Sequence, residues 1–163
     1  MLQYDVPEYK RFRVIVDTDA ACEADDPFAI AHALMSKKLD VKAIFAEHFG
    51  GKGTVQKSYG EIETILDCMK MDVPHFMGED GPLCLTQDAP LSEAGEFLIR
   101  EALAEDEKPL FVLCLGAITN VARAMQAYCA QVPWRKWMPP PMRAPAMCWP
   151  PPLIKMWFAV PMN

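Results

Sequence analysis

No two of the six cysteines stand in a CxxC spacing, and several lie within apolar periodic segments. That leaves Cys22, Cys68, Cys84, Cys114, Cys129 and Cys148 to be read as reduced, buried small hydrophobes of a cytoplasmic protein. Positive charge is scarce: 16 Lys and Arg against 22 Asp and Glu give a net charge of −6. A phosphate backbone demands a basic face, so the composition argues against a nucleic-acid partner. No apolar run is long enough to span a bilayer, and the opening MLQYDVPEYKRF has no apolar signal core, so neither a membrane partner nor export is expected. The phosphate-loop pattern GxxxxGK[ST] is absent, and the glycine-rich FGGKG of residues 49–53 reads as a turn. Over residues 131–163 glycine and acidic residues vanish, while nine of the 15 prolines and all four tryptophans collect there.

At 163 residues the chain is long enough for one domain with a real core. Residues 13–17 are apolar on both faces, as a central strand of a parallel sheet requires. Residues 27–36 follow as a helix with Phe28, Ala31 and Leu34 at helical spacing, His32 packed or on the surface, and Lys37 and Lys38 at its negative end. A second strand, 41–46, ends at Glu47 and His48. Thr54 caps a helix on which Val55, Tyr59, Ile62, Leu66 and Met69 recur at steps of four, three, four and three. A short extended segment, 73–77, leads to a loop over 78–90. Ser92 caps a helix with Ala94, Phe97, Leu98 and Ala102 inward, 110–115 is a further apolar strand, and 120–128 is a helix carrying Val121, Ala124, Met125 and Tyr128. Strands alternating with helices define the fold class: α/β, a mostly parallel sheet with helices on both faces. Functional residues of such a sheet sit beyond the carboxyl ends of its strands, which places Asp17, Asp19, Asp25, Asp26, Glu47, His48, Thr119 and Asn120 on one rim.

The stretch VIVDTDAACEADDPFAI, residues 14–30, puts four aspartates within ten residues at the end of a strand. Partly buried carboxylates in that density repel one another, which implies a bound cation or a coupled proton. Asp26 ahead of Pro27 also fits an N-cap followed by proline at the first helical position, and that alone accounts for one of the four.

DTDAACEADDPFAI resembles the aspartate signature DxDxxxDD of the inosine/uridine-preferring nucleoside hydrolases. GAITNVARAM, residues 116–125, is similar to that family's G-x-L-T-N segment opening a helix, and DVPHFMG, 72–78, to its short VPV-type strand with a following glycine. The three landmarks stand in the family's order over about residues 13–130. The resemblance implies a nucleoside hydrolase-like fold and hydrolysis of the N-glycosidic bond of a ribonucleoside to ribose and free base, with Ca2+ as cofactor and a small-molecule nucleoside as partner. It also implies that Asp19 contacts the metal and activates water, Asp25 holds the ribose hydroxyls, Asp26 binds calcium through both carboxylate oxygens and Thr119 offers its carbonyl. Hard oxygen donors suit Ca2+, and a cation beside a carboxylate base makes water a nucleophile at neutral pH.

Two departures accompany the match. Five residues separate Asp19 from Asp25 where the pattern has three, which looks like a subgroup with an E-x-D-D ending. Glu47, His48 and Phe49 stand ahead of Gly50 where the family presents Gly-Asn, so a substrate contact and an ordinary loop role are both open for Glu47 and His48. Family members are considerably longer. Residues 1–130 are therefore expected to be the N-terminal part of such a domain, weakly active or inactive alone, and 131–163, without helical or alternating period, an irregular or frameshifted tail. Two competing readings are a haloacid-dehalogenase-like phosphatase, because VIVDTD also resembles a strand ending in DxD, and a non-catalytic fragment with a vestigial metal site and a partner-binding tail. Homo-oligomerisation and nucleobase preference stay open.

Overall fold

The computed structural model describes residues 5–86, 88–131 and 154–158, with side chains described as far as 129. The fold is built around β1 (Phe12–Thr18), whose residues Arg13 to Thr18 are all buried. Four more strands join it: β2 (Leu39–Ala46), β3 (His75–Met77), β4 (Leu110–Cys114) and β5 (Ile154–Phe158). They form one sheet in the order β3-β2-β1-β4-β5, with every pairing parallel. The only irregularity in the β1–β2 ladder is a bulge that passes over Lys42, between the pairs Val14↔Val41 and Ile15↔Ala43.

The helices are α1 (Asp25–Met35), α2 (Thr54–Met69), α3 (Leu83–Thr86), α4 (Glu93–Ala102) and α5 (Thr119–Gln131). Because side chains alternate along a strand, one set of sheet residues faces α1 and α2 and the other faces α4 and α5. Val14, Val16, Ile44 and Ala46 pack with Ile30, Ala33, Val55, Ile62 and Leu66. Ile15, Phe45, Val112 and Cys114 pack with Ala94, Leu98, Val121 and Ala124. The expected α/β class with helices on both faces is therefore observed. From β3 at one edge the chain returns through α3 and α4 to β4, on the other side of β1. Strand order reverses between β1 and β4, so a crevice opens beyond their carboxyl ends.

Several local expectations are corrected. Helix α1 begins at Asp25, and the residue in the capping position, Ala24, offers no side-chain cap. Asp26 is a buried residue of the first helical turn rather than the N-cap. Its inward position turns Ile30 and Ala33, four and seven residues on, toward the sheet. Phe28 is rotated outward and is 77% exposed, against the expectation that it packs. Thr54 is likewise inside α2; its hydroxyl donates to the Gly51 carbonyl at 2.8 Å and accepts from Phe49 N–H, and Gly53 at φ 74° precedes it. The segment expected as loop over 78–90 contains the short helix α3. Ser92 caps α4 as expected, accepting from Gly95 N–H. Of the five described cysteines only Cys114 is buried; Cys22, Cys68 and Cys84 are exposed and Cys129 is half-buried.

Strand β5 runs alongside β4 from Leu110↔Ile154 to Cys114↔Phe158, a pairing that no sequence period announced. It lies in the longest proline-free run of 131–163, where the ladder loses no N–H donor. The rest of the expected tail, 132–153 and 159–163, lies outside the described residues. Among the described residues no helix is long and apolar enough to cross a membrane.

Phe45 is fully buried and meets Phe76 and Phe97 edge-on, with ring centroids 6.2 and 6.0 Å away. Phe45→Ala is expected to lower the unfolding free energy by about 3–5 kcal/mol, whereas the exposed Phe28→Ala changes it by about 0.5 kcal/mol or less. Urea titrations of the two variants check this, and equal losses would contradict the assignment of inner and outer faces.

Candidate active site

At the end of β1 the alternation of side chains distributes two polar residues to opposite faces. Asp17 continues the row of Ile15 toward α5, and Thr18 continues the row of Val16 toward α1. Thr18 Oγ1 donates to Asp26 Oδ1 at 2.9 Å, which holds Asp26 inward. Asp17 Oδ1 accepts from Asn120 Nδ2 at 2.8 Å, and Asp17 Oδ2 has no hydrogen-bond partner among the described residues. Asp19 stands one step beyond the strand, half-buried, with its carboxyl group beside that of Asp26. A Cβ at Gly116, just after β4, would overlap the Asp19 carboxylate, so the absence of a side chain there lets Asp19 lie over the end of β4. Asp25 is exposed as the first residue of α1, within electrostatic reach of Asp19 and Asp26.

A second group forms beyond β2. Glu47 is fully buried; its Oε2 accepts from Asn120 N–H at 3.0 Å and its Oε1 from His48 N–H at 3.4 Å. His48 Nδ1 accepts from Gly50 N–H at 3.3 Å, which assigns the proton of a neutral ring to Nε2, and Nε2 lies 2.9 Å from Thr119 Oγ1. The buried Thr119 at the start of α5 thus accepts from His48 through its hydroxyl. Of the residues singled out in the sequence, Asp19, Asp25 and Asp26 come together at one side of the crevice. Glu47, His48 and Thr119 come together at the other, and Asp17 with Asn120 joins the two. Sequence reasoning placed Asn120 on the rim without naming its partners and gave no role to Thr18; the G-x-x-T-N segment after an apolar strand was the signal that held Asn120.

Burial dominates the electrostatics. It pushes Glu47 up to about 9, with the Asp17 charge adding to the effect, and Asp17 up to about 7, with Asp19 adding. Asp26 is raised to about 6 by burial and by Asp19 and Asp25, and burial raises Asp19 as well. Burial lowers His48 and keeps it neutral. Such a cluster is relieved either by protons or by a cation. The donor set fits a hard divalent ion: carboxyl oxygens predominate, and one buried oxygen, Asp17 Oδ2, is without a partner among the described residues. Among the same residues, no three His, Cys, Asp or Glu side chains already converge as a metal shell. A cation here would take its other ligands from carbonyls, water or substrate hydroxyls.

The fold and rim define an α/β protein with clustered carboxyl groups at the point where strand order reverses. Residues 14–133 match the model of the family described as inosine-uridine preferring nucleoside hydrolase, and the chain belongs to that family. The non-specific ribonucleoside hydrolase RihC of Klebsiella pneumoniae is 27% identical over 139 residues, covering 72% of this chain and 44% of the relative. RihC of Salmonella paratyphi B is 26% identical over 136 residues, covering 71% and 43%. Among solved structures, an inosine-guanosine nucleoside hydrolase superposes with a TM-score of 0.58 at 26% identity, over 74% of this chain and 44% of its own. A nucleoside hydrolase-related protein from Saccharophagus degradans, at 18% identity and a TM-score of 0.55, shares the fold. The chain spans less than half the length of the curated relatives it matches.

The raised carboxyl groups set the pH dependence of stability. Where the folded state holds protons that the unfolded state has lost, stability falls as pH rises. Glu47 and Asp17 do so up to about pH 9 and 7, respectively, while the lowered His48 acts in the opposite sense only below its ordinary 6.5. In the presence of a chelator the melting temperature is therefore expected to fall from pH 7 to pH 9, and Glu47→Gln to remove most of that slope. Thermal melts at the two pH values measure it; a flat or rising profile would contradict the buried-acid assignment.

Proposed function

We propose that the rim takes part in hydrolysing the N-glycosidic bond of ribonucleosides, releasing ribose and free base, with Ca2+ as the cation. The observation that carries this reading is the pair of neighbouring carboxyl groups, Asp19 and Asp26, with Asp19 lying against Gly116 after β4, in a chain of this family. The printed functions of the relatives, ribonucleoside and inosine-guanosine hydrolysis, support the substrate class. Asp19 and Asp26 would hold the ion, together with the Thr119 carbonyl; when bound, it supplies charge that acidifies water and anchors a sugar diol. Asp19 accepts the proton of the attacking water, a task suited to a carboxyl group whose affinity for protons is raised by burial. Asp25, exposed beside it, accepts hydrogen bonds from the ribose hydroxyls. His48 stands on the opposite side, backed by the buried Glu47, and its neutral ring, already committed to Thr119, contacts the substrate by its edge. Fixing water and sugar on one rim lowers the entropic barrier to attack. The exposed thiols of Cys22, Cys68 and Cys84 suit the reducing cytoplasm.

Calcium is expected to raise the melting temperature, and Asp26→Ala to abolish the rise. An Asp26→Ala variant that responds like the parent would remove that residue from the site. In whatever turnover of inosine or uridine the chain sustains, Asp19→Ala should lower kcat by about 100- to 10,000-fold with a smaller change in KM. Ribose release followed by a reducing-sugar assay measures this, and indifference to the loss of Asp19 would relocate the chemistry.

A further inference from the structure

Asn120 is wholly buried, and each hydrogen-bonding group of its side chain is engaged. Nδ2 donates to Asp17 Oδ1 at 2.8 Å and to the Ala46 carbonyl at 3.2 Å, and Oδ1 accepts from Glu79 N–H at 2.7 Å. Its own peptide N–H donates to Glu47 Oε2 at 3.0 Å. One residue at the head of α5, just after β4, therefore ties down the ends of β1 and β2 and the turn after β3. Gly78 admits it: a Cβ there would overlap both terminal atoms of the Asn120 amide and the Ala46 carbonyl. The turn so fixed is itself braced, because Glu79 Oε1 accepts from Ser92 N–H at 3.1 Å, ahead of α4.

The residue type is demanded by these partners. An aspartate could accept from Glu79 N–H but could donate nothing to the Ala46 carbonyl, and it would set a further negative charge against Asp17. A leucine would leave the buried Asp17 Oδ1 and Glu79 N–H unpaired, and the Ala46 carbonyl with only the Gly78 N–H. We propose that Asn120, admitted by Gly78, is the positioning residue of the rim: it engages Asp17 Oδ1, leaves Oδ2 as a free acceptor beside Asp19, and so sets the carboxyl arrangement that receives the cation. This rests on the cation reading above. Asn120 touches neither substrate nor metal in this role; it acts through Asp17 and Glu47.

Calorimetric titration with Ca2+ tests it on the full chain, with the melting temperature in chelator recorded alongside. Asn120→Asp and Gly78→Ala should each weaken Ca2+ binding about 10- to 100-fold, the loss that partners of metal-binding side chains typically cause. Ile62→Val, a core change in α2, should lower the melting temperature by about a few degrees and leave the affinity unchanged. Parent-like affinity in both rim variants would overturn the proposal, as would a loss of affinity that merely follows melting temperature in all three. The Asn120 side-chain 15N–1H resonances provide a metal-free readout, expected to exchange slowly in the parent and fast in Asp17→Ala. A parent that binds no Ca2+ would refute the cation reading alone. Positioning of Asp17 by Asn120 then stands if the resonances behave as expected and falls if they exchange fast in the parent.

Discussion

Crowded carboxyl groups at the carboxyl end of β1 are the constraint to which the rest of the molecule answers. Asp17 and Glu47 are fully buried, Asp26 nearly so, and Asp19 half-buried among them. Four such groups cannot all be ionised without compensation, and no Lys or Arg hydrogen-bonds or ion-pairs with any of them among the described residues. Burial and mutual repulsion hold all four above the ordinary carboxylate range. A fold tolerates this where a charged ligand offsets it, and functional sites are where such clusters concentrate.

The scaffold supplies that crowding through ordinary means. Parallel strands all end on one side, and reversal of strand order between β1 and β4 marks the position where such sheets hold their functional residues. Alternation along β1 sends Asp17 toward α5 and Thr18 toward α1, where they meet Asn120 and Asp26. Two positions without side chains make the approach possible, Gly116 beneath Asp19 and Gly78 beneath Asn120. The opposite end of β1 is organised differently. Buried Arg13 pairs there with Glu101 at 3.2 Å and Asp106 at 3.6 Å, so charge is neutralised locally at the amino end and left unbalanced at the carboxyl end.

The α/β class, four of the strands and the four long helices were legible because hydrophobic period and strand–helix alternation are local signals. The aspartate run and the GAITN segment were legible as motifs, and they located the rim. What escaped depended on tertiary contacts. Asp26 reads as a cap because Asp-Pro is a local capping signal; only the Thr18 hydroxyl, eight residues earlier in the chain, explains why it turns inward and carries Phe28 outward. Asn120 gave no sign of its role because its partners, Asp17, Ala46 and Glu79, come from three other segments. β5 escaped because a five-residue strand among prolines has no period to read.

Anomalous diffraction from crystals soaked in terbium, a hard-oxygen-seeking ion that stands in for Ca2+, tests the origin of the carboxyl cluster most directly. A cation site predicts a strong peak within about 2.3–2.6 Å of carboxyl oxygens of both Asp19 and Asp26, the distance range of hard-cation ligands. Terbium bound only at exposed acids such as Glu8 or Asp106, with the rim empty, would show that protons alone keep these carboxyl groups together.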